Sequence, residues 1–263
     1  MALHELINTY LDSMSPRPQK ILDVGGGALP HSAATEILDL FDYNFAQRFS
    51  YDRDCSRVDG QKWTTFDVCS RQMWPSIDDE FDFSICAHTL EDIKDPLWVC
   101  HELARVSRAG YIEFPSRFQE SINGLVRRGI TGWPHHRWMI TTCGESLLLI
   151  PKLHHVNAFP YLCLPTSFRK QSDAKHTSFF WSNRFSAYEL LVYVEDFQRE
   201  YISQFDSSRT PWFHFRRWLS KIVPREHSSA KTPPGYVWTD TSGRKFGPYT
   251  SSDKGPWLKT TLS

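Results

Sequence analysis

The stretch from Lys20 to Pro30, Lys-Ile-Leu-Asp-Val-Gly-Gly-Gly-Ala-Leu-Pro, has the residue types and the order of a nucleotide-binding turn. Residues 21–24 form a short apolar run with one carboxylate, which predicts a buried strand. The three glycines that follow permit backbone angles that a Cβ forbids, so the chain can turn sharply and lie close to a ligand. Pro30 suits the first turn of a helix, and residues 31–41 then place apolar side chains at helical spacing. Strand, glycine turn and helix together are typical of the nucleotide site in a doubly wound α/β fold.

The glycine turn departs from the dinucleotide fingerprint Gly-x-Gly-x-x-Gly in two ways. Pro30 occupies the third glycine position, and Asp23, two residues before the first glycine, has no role in that fingerprint. Both departures favour a different nucleotide. The alternative is a tight turn without a ligand, which glycine-rich sequences also form.

Three later acids lie at or near the ends of short predicted strands. Residues 49–52, Phe-Ser-Tyr-Asp, predict a second strand that ends at Asp52, with Asp54 just beyond it. In such folds an acid at the end of the second strand accepts hydrogen bonds from ribose hydroxyls. Asp67 ends the next short element, where it could accept a hydrogen bond from an adenine amine while Val68 packs on the ring. Solvated loop carboxylates are the alternative for all three acids.

Histidines supply the candidate proton acceptors. His88 follows the apolar strand predicted over residues 80–87, and the adjacent His135 and His136 precede a β-hairpin predicted over residues 137–151. A histidine can take a proton from a hydroxyl or an amine at a pH near neutrality. Loop histidines with a purely structural role are the alternative.

A second adjacent pair, His154 and His155, raises the question of a metal site. Adjacent residues on a strand point to opposite faces, so a site would need one histidine from each pair together with a carboxylate. The sequence has no His-x-x-x-His pattern and no cysteine cluster that would support such a site. We therefore predict no metal.

Strands and helices alternate over residues 20–115, which predicts a parallel sheet with right-handed crossovers. Ligands of such sheets bind at the carboxyl ends of the strands. The residues predicted to lie at these ends are Gly25, Asp52, Asp67, His88 and Pro115. We expect the hairpin over residues 137–151 to complete the sheet with two antiparallel strands.

The composition indicates a neutral globular chain. Its 263 residues can hold one sizeable α/β domain with additions, and its formal net charge of zero gives no bulk attraction to nucleic acid or to an anionic membrane. No apolar run approaches the roughly 20 residues that span a bilayer, and the N-terminus lacks the pattern of a signal peptide. The six cysteines are scattered, without a C-x-x-C pair. We therefore expect a reduced, cytoplasmic protein without stable membrane insertion.

Several motifs within residues 18–116, taken in order, resemble class I S-adenosylmethionine-dependent methyltransferases of the type 11-like group. These motifs are Asp23-Val-Gly-Gly-Gly27, the acid Asp52, Phe66-Asp67-Val68, and Phe81-Asp82-x4-Ala87-His88-x-Leu90-Glu91. The resemblance implies S-adenosyl-L-methionine as the cofactor. The residues that it implies for binding are Asp23, Gly25, Gly26 and Gly27 at the methionine part, Asp52 at the ribose, Asp67 and Val68 at the adenine, and Ala87 and His88 along the open side. The two acids of Asp52-Arg-Asp54 leave the ribose partner undecided.

The resemblance further implies a Rossmann-like, doubly wound, mostly parallel α/β sheet that ends in an antiparallel β-hairpin, with extra C-terminal β/α elements. We expect a cofactor-binding methyltransferase domain over residues 1–155. Aromatic-rich elements over residues 156–230 would form the acceptor pocket or a cap, and a tail rich in Gly, Pro and Ser would follow over residues 231–263.

The expected activity is methyl transfer to an O or N atom of a small-molecule or sugar-like acceptor. His88, His135 and His136 are the candidate general bases, and Arg137 and Trp138 are the candidate acceptor contacts. A homodimer is left open. The competing functions are a methyltransferase-like scaffold with weak or no catalysis and an NAD-dependent oxidoreductase. The incomplete dinucleotide fingerprint and the lack of a Tyr-x-x-x-Lys pair after the fourth strand count against the oxidoreductase.

Overall fold

The structure of the protein, a computed structural model, describes residues 3–27, 29–44, 60–127, 129–153, 159–170, 175–191, 194–205, 238–239 and 245–246. The predicted strand over residues 49–52 with Asp52 and Asp54, the pair His154 and His155, and most of the predicted tail lie outside these residues.

The described residues form strands and short helices. The strands are β1 (Ile21–Val24), β2 (Glu36–Asp39), β3 (Lys62–Thr65), β4 (Phe83–Ala87), β5 (Ala109–Pro115), β6 (Trp138–Cys143), β7 (Ser146–Pro151), β8 (His176–Ser182), β9 (Ser186–Glu189), β10 (Trp238–Thr239) and β11 (Lys245–Phe246). The α-helices are α1 (Leu3–Ser13), α2 (Pro96–Val106), α3 (Arg117–Glu120) and α4 (Val194–Ser203), and two 3₁₀ segments cover Pro160–Leu162 and Thr166–Lys170.

Six strands form the main sheet in the order β3-β2-β1-β4-β5-β8. The first five strands of this order pair in parallel, and β8 pairs antiparallel with β5, Tyr111 opposite Phe180. The direction of winding reverses between β1 and β4, which makes this junction the switch point of the sheet. The predicted Rossmann-like, mostly parallel sheet is confirmed.

The stretch predicted as a helix over residues 31–41 instead contains β2, so that prediction is wrong. Ile37 and Leu38 are adjacent and both buried, whereas Leu40 and Phe41 are 53% and 45% exposed. An amphipathic helix would not place its buried side chains in this way, but a strand with β1 on one side and β3 on the other does, since both of its faces are covered. Short apolar runs of this kind do not distinguish strand from helix by spacing alone.

The predicted hairpin forms as β6 and β7, Ile140 opposite Leu149, but its predicted place in the main sheet is wrong. The hairpin belongs to a separate three-stranded sheet with β9. The main sheet instead ends on β8, which presents Phe179 and Trp181 to one face and Phe180 to the other. Because β5 is buried along its whole length, the strand that covers its edge needs apolar side chains on both faces.

Two layers cover the main sheet. On one face, Ile7 and Leu11 of α1 pack with Phe83 and Tyr111 of the sheet. On the other face, α2 and the small sheet share a core to which Leu103 and Leu149 belong. Helix α2 begins at a proline, and the Asp95 side chain before it accepts a hydrogen bond from Trp98 N, a combination that favours a helix start.

No helix in the described ranges is long and apolar enough to cross a bilayer. Strand β8 returns from the second half of the chain to the main sheet, and the three regions divided at residues 155 and 230 stay a prediction.

Candidate functional site

The glycine turn after β1 adopts backbone angles that favour glycine. Gly25 and Gly27 have φ of +70° and +56°, in the left-handed region that a Cβ makes costly. Gly25 N donates to Leu38 O of β2 at 2.9 Å. A Cβ on Gly25 would lie 2.5 Å from Thr89 Oγ1, and a Cβ on Gly27 would meet no atom of the described residues within 4 Å. The turn is therefore packed against the β4 loop on one side and open beside Gly27.

Two buried carboxylates lie beside the glycine turn. Asp23 is buried in β1, and its Oδ2 accepts a hydrogen bond from His31 N at 2.7 Å. Burial raises the pKa of Asp23 to about 7, since the charged form loses its hydration. Asp39, the last residue of β2, accepts from Gly27 N at 2.9 Å through Oδ2 and from Phe41 N at 2.9 Å through Oδ1.

Asp39 is thus the acid at the end of the second strand, the position predicted from the sequence for Asp52 or Asp54. Sequence reasoning missed Asp39 because residues 31–41 were interpreted as a helix. A usable signal was present: a short apolar run that ends on an acid soon after the glycines. The structure does not describe Asp52 or Asp54, and their assignment to the ribose stays a prediction.

The residues after β3 and β4 lie at the same edge of the sheet. Asp67 is partly exposed and accepts from Cys69 N at 2.9 Å and from Lys94 Nζ at 3.3 Å. Val68 is buried and belongs to the main core. Ala87 ends β4, and His88 follows it with a φ of +51°, so the chain turns sharply where the fourth strand reaches this edge.

The switch point brings the first and fourth strand ends together. Gly25 contacts the Thr89 side chain, and Thr89 Oγ1 donates to Ala87 O at 3.1 Å. In open parallel sheets, ligands bind in the crevice outside the carboxyl ends at this reversal. The structure therefore brings the predicted cofactor residues of β1 and β4 together at this reversal.

His88 belongs to a cluster of charged and polar side chains at the ends of β4 and β5 and the start of β8. His88 Nε2 lies 2.9 Å from Glu113 Oε1, and His88 Nδ1 lies 3.4 Å from Glu91 Oε1. The Tyr111 hydroxyl donates to the other oxygen of Glu113. The His176 ring stands edge-on to the His88 ring, with 4.9 Å between centroids. Three separate strands are needed to assemble this cluster.

The two histidines of the cluster differ in protonation. Hydrogen bonds to Glu113 and Glu91 raise the pKa of His88 to about 9, so His88 is an imidazolium at neutral pH. Burial together with the charge of His88 lowers the pKa of His176, which keeps that ring neutral. Burial alone would raise the pKa of Glu113, but its hydrogen bonds from His88 and Tyr111 lower it. Of the two histidines, His176 is therefore the one that can take up a proton at neutral pH.

His135 and His136 lie in the turn that precedes β6. His136 is buried, its Nδ1 lies 2.6 Å from Glu120 Oε1, and its Nε2 lies 3.8 Å from Asp92 Oδ1. His135 is exposed, with its Nε2 4.0 Å from the same Asp92 oxygen. Lys152 Nζ lies 2.5 Å from the other oxygen of Glu120. The two histidines thus form a second cluster, beside Asp92, instead of joining His88.

Arg137 and Trp138 anchor this turn to the β4 loop. Their backbone N–H groups both donate to Glu91 O, at 2.7 and 3.2 Å, and the Trp138 indole N–H donates to Ile93 O at 3.0 Å. The Arg137 side chain is exposed, and Trp138 is partly buried. Their predicted contacts with an acceptor stay a prediction.

Four side chains of these clusters were missed by sequence reasoning: Glu113, His176, Glu120 and Asp92. Each is separated in the chain from the histidine it approaches, as Glu113 is from His88 by 25 residues. The proximity of Glu113 and His176 to His88 depends on the pairing of β5 with β4 and β8, and that of Glu120 and Asp92 to the His135–His136 turn depends on the packing of separate loops, for both of which a single sequence gives no local signal.

No protein-family model and no curated protein matches the chain in sequence. Solved structures that are similar include a putative methyltransferase from Bacillus halodurans C-125, 16% identical with a TM-score of 0.32 over 43% of this chain and 51% of that chain. An S-adenosylmethionine-dependent methyltransferase from Mesorhizobium loti is 16% identical with a TM-score of 0.29, over 39% and 49%. A putative sarcosine dimethylglycine methyltransferase from Galdieria sulphuraria is 20% identical with a TM-score of 0.30, over 42% and 43%.

The chain thus spans about half the length of these solved structures or less. With TM-scores of 0.32 or lower, these likenesses carry no weight for the function.

Proposed function

We propose that the protein is an S-adenosylmethionine-dependent methyltransferase acting on an O or N atom of a small-molecule or sugar-like acceptor. The observation that carries this proposal is the glycine turn at the switch point of the sheet, with Asp39 at the end of the neighbouring strand. Gly27 N donates to the Asp39 carboxylate at 2.9 Å, which holds the turn and the acid together. An acid in this position accepts hydrogen bonds from ribose hydroxyls.

The residues present fit an adenosyl ligand. A Cβ on Gly27 would enter open space, so bare backbone faces room that a ligand can occupy. Asp39 would hold the ribose, since each carboxylate oxygen can accept more than one hydrogen bond. Asp67 would accept from the adenine amine, and Gly25 to Gly27 would lie along the methionine part.

The charge around the turn favours S-adenosylmethionine over a dinucleotide. Dinucleotides place their pyrophosphate at a helix N-terminus that follows the glycine turn. Residues 25–27 and 29–35 contain no helix, and the buried acids Asp23 and Asp39 flank the turn instead. The Asp39 carboxylate would repel a phosphate there, whereas it would not repel a sulfonium cation without phosphates.

S-adenosylmethionine, when bound, supplies an activated methyl group, so the protein has to align the acceptor and exclude water. Positioning of this kind can contribute about 7–11 kcal/mol to catalysis. A base is needed when the acceptor atom carries a proton, and such a base adds about 10²–10⁴-fold to the rate. His176 would take that proton. The positively charged His88, held between Glu113 and Glu91, would orient the His176 ring through their edge-on contact.

The test is calorimetric titration of the full chain with S-adenosylmethionine, S-adenosylhomocysteine and NAD, followed by an acceptor screen that detects S-adenosylhomocysteine formation. The proposal expects micromolar binding of both adenosyl ligands, no binding of NAD, and turnover with at least one acceptor. Binding without turnover would favour the scaffold function. Binding of NAD alone would overturn the proposal.

A further inference from the structure

Three side chains that can bind a metal lie together where the turn before β6, with His135 and His136, meets Asp92 of the loop after β4. Asp92 Oδ1 lies 3.8 Å from His136 Nε2 and 4.0 Å from His135 Nε2, and one ligand atom from each of the three residues lies within 4.8 Å of the others. Ligands at about 2.0–2.1 Å from a tetrahedral Zn²⁺ are about 3.3 Å apart. The distances of the two histidine nitrogens from Asp92 exceed this spacing by only about 0.5 and 0.7 Å, and the distance between the two nitrogens exceeds it by at most about 1.5 Å, so small side-chain rotations bring the three atoms to one ion.

A second observation points independently to a metal: a contact with Glu120 holds the His136 ring at Nδ1, the nitrogen that faces away from Asp92. Its Nδ1 lies 2.6 Å from Glu120 Oε1, and Glu120 is 1% exposed. Lys152 Nζ lies 2.5 Å from the other oxygen of Glu120 and holds this side chain in place. With Nδ1 on Glu120, the Nε2 atom of His136 is the ring nitrogen that faces Asp92. Histidines that bind metals typically donate their other N–H to such a carboxylate, which selects the tautomer.

The backbone holds the three ligand residues in fixed positions relative to one another. Glu91 O, next to Asp92, accepts hydrogen bonds from Arg137 N and Trp138 N, next to His136. Gly132, with a φ of +61°, leaves the space that Glu120 fills, since a Cβ there would lie 2.5 Å from Glu120 Oε2. Contacts within the protein therefore hold the backbone beside Asp92 and His136, and the Glu120 side chain, in place.

We propose that Asp92, His135 and His136 bind a divalent transition-metal ion of the Zn²⁺ type, with Glu120 as the residue that positions His136. The side chains of His135 and Asp92 are 61% and 42% exposed, so the ion can enter from solvent. Three protein ligands leave a fourth position for water or for an oxygen of a bound small molecule. The prediction of no metal assumed a strand, on which adjacent histidines diverge. Residues 135 and 136 instead lie in a turn, where both rings reach Asp92.

The test uses the tag-free full chain after treatment with a chelator. Co²⁺ is titrated in while the visible d–d absorption is recorded, and Zn²⁺ is then added as a competitor. The proposal expects one equivalent of Co²⁺ bound, displaced by Zn²⁺. His135→Ala should weaken Zn²⁺ binding at least about 100-fold, and Glu120→Gln about 10–100-fold with an altered Co²⁺ spectrum. His101→Ala, on α2 and outside the cluster, should bind as the unmodified protein does.

His135 is exposed, so its variant is expected to fold, which circular dichroism checks. The proposal is overturned if the chain binds no metal saturably, or if His135→Ala binds as tightly as the unmodified protein. It is also overturned if binding survives in His135→Ala and disappears in His176→Ala. That result would place the ion at His88, Glu113 and His176, the other group in the described part of the chain with suitable ligand atoms. None of these outcomes depends on methyl transfer.

Discussion

The glycine turn and the His88 cluster lie at neighbouring strand ends of one sheet, but their charges are arranged differently. Around the turn, Asp23 and Asp39 accept hydrogen bonds from backbone N–H groups, and these contacts include no cationic side chain that would offset the Asp39 carboxylate. In the cluster, Glu113 and Glu91 are paired with the imidazolium of His88. The glycine turn can therefore attract a cationic cofactor. The His88 cluster, in which opposite charges are paired, can instead transfer a proton without building up a large net charge.

The change with the largest expected effect, Gly25→Val, disrupts the glycine turn and leaves the residues of the His88 cluster unchanged. Gly25→Val places a branched side chain where φ is +70° and Thr89 Oγ1 lies 2.5 Å from the Cβ position, so the turn cannot keep its shape. We expect S-adenosylhomocysteine binding to fall below detection in calorimetry. Gly144→Val, at a φ of +61° with open space around it, is the matched control and should bind normally. A folded Gly25→Val variant with unchanged affinity would contradict the assigned site.

The His88 cluster is disrupted by His176→Asn, which removes the proposed base and leaves the glycine turn unchanged. We expect turnover with an acceptor identified in the screen to fall about 10²–10⁴-fold, with cofactor affinity unchanged. In the unmodified protein, activity should fall on the acidic side at a pH below the ordinary histidine pKa, since the pKa of His176 is lowered. His101→Asn serves as the control. Equal turnover in the two variants would remove His176 from the mechanism.

A third set of variants identifies which carboxylate binds the ribose of the cofactor. Asp39→Asn removes the charge at the end of β2, and a hydrogen bond to a charged group is worth about 1.5–3 kcal/mol, or about 10–100-fold in Kd. Asp42→Asn, an exposed acid three residues on, should leave the Kd of S-adenosylhomocysteine unchanged. If Asp52→Asn weakens binding and Asp39→Asn does not, the sequence-based assignment of Asp52 is right and the assignment of Asp39 is wrong.

A separate effect, on stability and not on binding, concerns the pH dependence of unfolding. The pKa of Asp23 is about 7 in the folded chain, against an ordinary value of 3.8. Between these values the unfolded chain has released the proton and the folded chain keeps it, so the free energy of unfolding falls as the pH rises from about 4 to 7. Asp23→Asn should remove up to about 4 kcal/mol of this dependence. Urea unfolding of both proteins at pH 4.5 and 7.5 measures it, and parallel pH curves would contradict the burial argument.

The parts that could be predicted from sequence are those that depend on neighbours in the chain. The glycines at 25–27, the strand before them and the helix that starts at Pro96 carry local signals in backbone freedom and capping. Strand β2 was mistaken for a helix because burial on both faces removes the alternation that identifies a strand. His176 and Glu113 could not be joined to His88, since only the pairing of β5 with β8 brings them together.

The central claim is that the cofactor lies against the bare backbone of the glycine turn, and the paired variants Gly27→Ala and Gly144→Ala test it most directly. Both positions have a left-handed φ and no atom within 4 Å of a new Cβ, so both variants carry a similar strain of about 1–2 kcal/mol. Only the Cβ at Gly27 would enter the crevice. Calorimetric titration with S-adenosylhomocysteine should show a Kd raised about 10-fold or more in Gly27→Ala, about 1.4 kcal/mol, and unchanged in Gly144→Ala. Equal affinities in the two variants would mean that the cofactor does not bind at this turn.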